Sequence, residues 1–460
     1  MKRNEYVRSN EGYSVMNIPI LFVLGCFILL ILTMSFTGAA VVALPISATI
    51  AILLSRETDY FGLLLCVLIP LSFSYYYQVG QVPGIVFITR LGLLGLFLVI
   101  GFKGRRIKSE YELITWILVA FFISAAGGSY AYSMFPQISG LKLLFCGLFF
   151  LGLIVCTRSS AEFPFVLFSI ILGIIFTSLV VYLISPNIGY AFFQDLRAAG
   201  VELGKYSGIL NHPQLLACLL AVNLPLMLFT YLTKKGFLSN IALAGIIGVG
   251  LLILISSSRT GLLTATITTI STVFLINRFS RSQMIKNRIR LVMVVACFVF
   301  TGLLAFSMEG LKVFIFKTQD IEAGISLSGR DEIVAASWQG FLASPAFGNG
   351  FQVPSDFTEH GSEEFGITSD NTTIEKCFFV TMLLEETGLI GTILFLGVIV
   401  WLMRYWYKKR AFVALAALVG LLTINLGESC ILSPSSIGGL CWLSIFAAHN
   451  LRLTEDFVHS

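Results

Sequence analysis

Fourteen stretches of this chain are apolar over something near the length a helix needs to cross a bilayer, about 20 residues at 1.5 Å each. They lie near 17–36, 39–54, 61–79, 85–102, 113–133, 141–156, 164–184, 215–232, 241–257, 260–276, 291–307, 387–403, 411–427 and 433–450. In hydrocarbon no water pairs with backbone N–H and C=O groups, so each run must close its own hydrogen bonds as a helix or join a closed barrel. Period-two alternation is absent, which leaves helices. Several runs are short, so the expected fold is an all-α polytopic membrane protein with about 12–14 transmembrane helices. Composition agrees: 57% of the 460 residues are apolar and 12% charged, against about 25% charged in soluble domains. Soluble, disordered, disulfide-framework and nucleic-acid-binding classes are excluded on that balance.

Sidedness follows from the bias of Lys and Arg toward cytoplasmic loops. With the N-terminus inside, the inner connections hold Lys103-Gly-Arg-Arg-Ile-Lys108, Lys234-Lys235, the run from Arg278 to Arg290, and Arg404 with Lys408-Lys409-Arg410. The C-terminal tail then also lies inside. The polar start, Met1 to Ser14, precedes a run without a small-residue cleavage site and reads as leading into a first span, not a removed signal peptide. The nine cysteines sit mostly in apolar runs and show no metal spacing, so neither a metal site nor a cofactor is expected. The two longest connections, 185–214 and 308–376, fall outside. The chain divides into N-terminal membrane helices (1–184), central helices with the first outer loop (185–307), a large outer loop (308–376), and C-terminal helices with the tail (377–460).

The 308–376 connection carries eleven acids and four bases. Loops of this length are uncommon unless functional. Within it, Asp331 to Leu342 has helical apolar spacing, with Ser328 as a candidate N-cap and Pro345-Ala-Phe-Gly-Asn-Gly350 as a stop. A helix packed over the outer membrane face is expected there, preceded by Arg330, with Trp338 as an interfacial anchor. Arg259 lies in the tight outer turn Ser256-Ser-Ser-Arg-Thr-Gly-Leu-Leu263. An arginine at a membrane edge commonly snorkels to headgroups. A guanidinium also matches phosphate oxygens bidentately. Arg259 and Arg330, in an outer region poor in positive charge, suit a diphosphate, whose departure they would stabilise without a metal.

The first outer loop ends in Lys205-Tyr-Ser-Gly-Ile-Leu-Asn-His-Pro-Gln214. Pro213 fits a first helical turn and Asn211 an N-cap. A capped helix start explains the stretch. So does a polar lip on the outer cavity, with Lys205, Asn211, His212 and Gln214 toward a sugar. Arg90, Lys142 and Glu428 are ionisable groups expected within the membrane, where each needs a partner or a watery cavity.

Several of these pieces form a recognisable series: Asn211-His-Pro-Gln214, Ser258-Arg-Thr-Gly-Leu-Leu263, Gly329-Arg330 with Trp338, Gly348-Asn-Gly350 and Glu386-Thr-Gly-Leu-Ile-Gly391. Their order and sidedness resemble the O-antigen ligase and O-antigen polymerase superfamily of bacterial envelopes, over roughly the second half of the chain. The resemblance implies a lipid-dependent glycosyltransferase of the GT-C-like, all-helical type in the bacterial inner membrane. Its donor would be an undecaprenyl-diphosphate-linked glycan, transferred on the periplasmic face to an acceptor glycan lipid, for O-antigen, capsule or exopolysaccharide. A chain-length regulator is a further partner such enzymes allow. It also implies that Arg259 and Arg330 engage the diphosphate.

One departure bears on the reaction. Ligases of this superfamily often carry a His, frequently as His-Asn, just before the L-x-E-x-G-L-I-G span, and Thr373 to Glu386 has none. Glu375 and then His360 are the candidate bases, with Lys376 beside Glu375 suited to a phosphate or acidic sugar. The missing His favours a polymerase, with a ligase attaching glycan to lipid A-core as the alternative. A lipid-linked sugar flippase or other secondary transporter is a second alternative, though such proteins tend to show internal repeats that this chain lacks. A membrane scaffold is the third.

Overall fold

The computed structural model describes residues 111–156, 163–184, 213–306, 330–353, 378–433 and 437–449, with a few positions beside them, Tyr206, Gly208 and Lys376 among these. The expected spans between 17 and 102 lie outside the described residues. All regular elements described are helices, as expected. We number them α1 (Glu112–Tyr132), α2 (Pro136–Cys156), α3 (Phe163–Ile184), α4 (Pro213–Thr233), α5 (Phe237–Ile255), α6 (Arg259–Phe279), α7 (Gln283–Phe306), α8 (Arg330–Ala343), α9 (Phe379–Lys408), α10 (Phe412–Ile424) and α11 (Ile437–Ala448). Seven of them, α1 to α6 and α9, are long and apolar enough to cross a membrane.

Helix α4 is the axis of the bundle. It packs against α5, α6, α10 and α11, and nearly all of it is buried. In lipid an apolar surface gives helices no reason to associate, so close approach through small residues has to do it. Thr264, Thr268 and Thr272 make such a ridge along α6, all fully buried. Thr268 donates to the Ala221 carbonyl of α4 at 3.1 Å, and Gly261 lies so close to Ala217 that a Cβ there would meet it at 2.5 Å. The same ridge meets α10, where a Cβ at Gly420 would meet Thr268 at 2.4 Å. Gly245 and Gly248 let α5 approach α3 in the same way.

The helix connections alternate between two ends. At one end Phe279 stacks on Phe412, and Tyr111 packs against Tyr405 and His449. Here Lys235, Arg278, Arg281, Arg290, Arg404, Lys408 and Arg410 are exposed. Arg288 reaches across the connection and donates to the carbonyls of Tyr231 and, at 2.6 Å, Lys234, closing the C-terminus of α4. The sequence placed these basic clusters on one side, and the fold gathers them at one end.

The C-terminal pair departs from the expected spans 411–427 and 433–450. Helices α10 and α11 are short, and 425–433 is an irregular connection folded into the bundle. Buried Asn425 organises it: its Oδ1 accepts from the N–H groups of Cys430 and Ile431 at 2.9 Å each, and its carbonyl accepts from Phe379 N–H at 3.1 Å. Trp442 Nε1 donates to Ile431 O at 2.7 Å. Non-helical backbone at this depth survives because protein groups satisfy it. Apolarity alone cannot distinguish such a connection from helix.

Candidate functional site

The opposite end is polar, and its centre is a break in α9. Gly388 has φ 64° and ψ −171°, far from helical. The residues after it, from Leu389 to Lys408, are long enough to cross the membrane at about 30 Å. The apolar run read from 387 begins at this break because Glu385 and Glu386 precede it. A helix break orphans amides and carbonyls, which must find other partners. The turn after α8 supplies them. Leu389 N–H donates to Pro345 O at 2.8 Å and Ile390 N–H to Ala346 O at 3.3 Å, while Asn349 N–H donates to Glu385 O at 2.7 Å.

Glycine is what allows the contact. A Cβ on Gly388 would meet the Ala346 carbonyl carbon at 2.4 Å, and one on Gly348 the Glu386 carbonyl carbon at 2.4 Å. Both also have positive φ, which L side chains rarely adopt. Gly128 of α1 completes the cradle, since a Cβ there would overlap Phe347 O at 2.2 Å. The two motifs Gly348-Asn-Gly350 and Glu386-Thr-Gly-Leu-Ile-Gly391 are therefore two halves of one interlock.

Beside it lies a buried charge cluster. Lys376 Nζ is 3.1 Å from Glu385 Oε2 and 3.4 Å from Glu386 Oε1, and it donates to Val353 O at 3.0 Å. All three side chains are at most 3% exposed. Burial alone would lower the lysine, but the two carboxylates prevail and hold its pKa above the ordinary value. Glu386 also accepts from the backbone N–H of Gln352. Gln352 in turn receives Lys142 Nζ on its carbonyl at 2.8 Å, and its own amide reaches Leu432 O at 2.5 Å. Phe351 N–H donates to Ser139 Oγ at 2.7 Å, which joins α2 to the same stretch.

The expected sites fall as follows. Arg259 is the first residue of α6, partly exposed, behind an N-cap in which Ser258 Oγ accepts from Gly261 N–H at 3.1 Å. The Gly261–Ala217 approach sets this turn against the first turns of α4. That helix opens on Pro213, and its Gln214 donates to Glu428 of the α10–α11 connection. Glu428 is thus in a connection and not within a helix, and its partner is an amide. Lys142 finds the Gln352 carbonyl, not headgroups. Arg330 is itself the first residue of α8, where the sequence suggested it would precede the helix; its side chain lies outside the described residues. Trp338 is half-exposed and leans on Phe341 at 5.2 Å. Lys205, Asn211, His212, His360 and Glu375 lie outside the described residues. Lys376 is described, and its ammonium is paired with two carboxylates and one carbonyl, which fits a tie better than a sugar or phosphate ligand.

Residues 242–375 match the family model described as O-antigen ligase. The match supports the O-antigen ligase and polymerase superfamily for this segment, which is under a third of the chain. The match spans α6 with Arg259, α8 with Arg330, and the turn that docks on α9. A comparison with curated proteins gives no match. The resemblance drawn from the motifs is thereby borne out, and with it a ligase- or polymerase-type glycosyl transfer as the coarse activity. Sequence reasoning missed the Lys376–Glu385–Glu386 cluster. Two adjacent acids opening an apolar run, with a lone lysine nine residues earlier, were the only signal.

Proposed function

We propose that the chain transfers a glycan from a polyprenyl diphosphate, undecaprenyl diphosphate in a bacterial envelope, at its polar end, and that it elongates a polymer. The observation that carries this is the position of the two arginines inside the matched segment: Arg259 and Arg330 are each the first residue of a helix. A cation opposes the positive end of its own helix dipole, and an anion bound there offsets both charges. A helix N-terminus and a guanidinium both favour an anion placed between them. A diphosphate carries that charge, and its departure from the sugar is the step such groups stabilise.

The exposed basic end then faces the cytoplasm by the positive-inside rule, and the polar end faces the periplasm or exterior. Gln214 and Glu428 lie near the diphosphate turn and are candidates to contact sugar. Glu375 remains the candidate base, since Thr373 to Glu386 has no His. That absence favours polymerase over ligase; the family description favours ligase, and the acceptor distinguishes them.

The test is the glycan profile of a deletion strain complemented with the wild type, Arg259→Ala or Arg330→Ala at equal membrane levels. For a polymerase, the deletion leaves single repeat units on the acceptor, and neither variant restores length. Long polymer accumulating on the carrier lipid while the core stays bare identifies a ligase. Full complementation by both variants overturns the diphosphate site.

A further inference from the structure

The buried cluster at the break in α9 does more than stabilise a helix. Lys376 Nζ holds Val353 O at 3.0 Å, so one ammonium joins the two residues that flank 354–375. Two carboxylates from α9 hold that ammonium in place. Two buried acids on one lysine is a costly arrangement, because the second carboxylate adds a desolvation penalty that a single ion pair would not carry. Apolar residues of similar volume often fill such a space as stably or more so. The arrangement does set the geometry of several chain segments at once.

A second feature points the same way. Gln352, immediately before Val353, has φ 53°, a left-handed conformation that a side chain makes unfavourable. It is held there from four directions: by Glu386 on its N–H, by Lys142 on its carbonyl, and by Leu432 O and Ser433 Oγ on its side-chain amide. These partners come from α9, α2 and the α10–α11 connection. Strain kept in place by so many ties clusters where geometry matters to function. Gln352 and Lys376 thus anchor the two ends of one stretch to the same break, one by hydrogen bonds and one by charge.

We propose that Lys376, Glu385 and Glu386 form a positioning latch that fixes both flanks of 354–375 against the interlocked turn and the break in α9, so that glycosyl transfer depends on a charge cluster which itself touches no substrate. The proposal rests on the transfer function above for its effect on turnover. The latch itself is a matter of backbone order and is tested without it.

The experiment uses the full chain purified into lipid vesicles. Variants are Lys376→Met, Lys376→Arg, Glu385→Lys, and the exchanged pair Lys376→Glu with Glu385→Lys. Hydrogen exchange is read at Asn349, Gln352, Leu389 and Ile390, and turnover is read with a polyprenyl-diphosphate-linked repeat unit. Lys376→Met is expected to exchange tenfold faster or more at these amides, with exchange in α4 unchanged. Its kcat is expected to fall at least tenfold while the donor KM stays within about twofold. Lys376→Arg and the exchanged pair are expected to recover most of both losses, as a charge interaction requires. Unchanged exchange in Lys376→Met overturns the latch. So does faster exchange with full kcat, or a loss confined to donor KM, which would make Lys376 a ligand. Lack of transfer by the wild type, with the exchange pattern as expected, overturns the proposed function and leaves the latch as a structural tie.

Discussion

At the basic end of the bundle most described charges stand in the open; at the polar end Lys376, Glu385 and Glu386 are buried together, and Lys142 and Glu428 are partly buried and paired. Lys235, Arg278, Arg281, Arg404 and Lys408 are exposed, while Arg288 is tied to two carbonyls and Lys409 lies over the Tyr405 ring. At the polar end Lys376 is ringed by Glu385, Glu386 and Val353 O, Lys142 is held by Gln352, and Glu428 receives Gln214. Exposed charges set orientation through their sign and number, and any one of them is dispensable. Buried ones act through geometry, and removing one partner strands the other. Substitutions at the polar end should therefore cost far more than at the basic end.

The largest effect belongs to the interlock. Gly388→Val or Gly348→Val puts a branched side chain into the opposing backbone, at a φ it disfavours. Each should cost about 4 kcal/mol or more, the range in which a marginally stable protein fails to fold. Loss of the monodisperse peak in detergent checks this. Gly127 and Gly250, whose Cβ would meet nothing within 4 Å, are the controls.

Arg259→Ala comes next and sharpens the comparison, because it should spare the fold and remove transfer. A drop of about 10²–10³ in turnover is the scale of losing one charge-stabilising group. Arg259→Lys should recover only part of it, since an ammonium lacks the planar fork. Thermal unfolding within a degree or two of wild type separates this from misfolding.

Which of these contrasts could be read before the structure depends on the physics that writes them. Hydropathy over about 20 residues encodes a span directly, so α1, α3 and α4 were legible to within two residues of each end. The basic clusters were legible because orientation depends on charge count. Arg259 and Arg330 stood out as cations against an outer region short of them. The α10–α11 connection was not legible, because Asn425 satisfies its backbone inside an apolar run. Nor was the latch: Lys376 and Glu385 are separated by the turn into α9, and only the fold shows that one ammonium meets both acids and Val353. The interlock was half legible, since its glycines were noticed as motifs but not as partners.

The Gln214–Glu428 pair is smaller because both residues are only partly buried. Gln214→Leu should cost about 1–2 kcal/mol, the scale of removing one hydrogen bond to a charged group. Glu428→Gln should cost less, because an amide oxygen still accepts. Unfolding midpoints measured with both substitutions, singly and together, give the coupling.

Alkaline pH offers a contrast between the ends without mutation. The folded pKa of Lys376 is raised above 10.5, so its contribution to stability is complete below that value and is lost as pH rises through the folded pKa. The wild type should therefore lose stability at the alkaline limit, and Lys376→Arg, whose charge persists, should lose less of it. Unfolding midpoints compared between pH 8 and pH 11 check the sign; equal slopes in both proteins would remove Lys376 as the cause.

At the basic end the expected effects are the smallest. Arg288→Ala removes two charge-assisted bonds to the C-terminus of α4 and should cost about 1 kcal/mol. Lys235→Gln, Arg278→Gln and Lys408→Gln should each stay within about 0.5 kcal/mol, as exposed substitutions do. Their effect should appear instead when they are combined. Removing all three lowers the charge that opposes translocation of this end, so the fraction of chains inserted the wrong way round should rise while correctly oriented chains keep wild-type stability. Labelling of single introduced cysteines from each side of the membrane measures that fraction. A triple variant that unfolds more easily without misorienting would mean that these charges hold the fold, and the two ends would then differ in burial only.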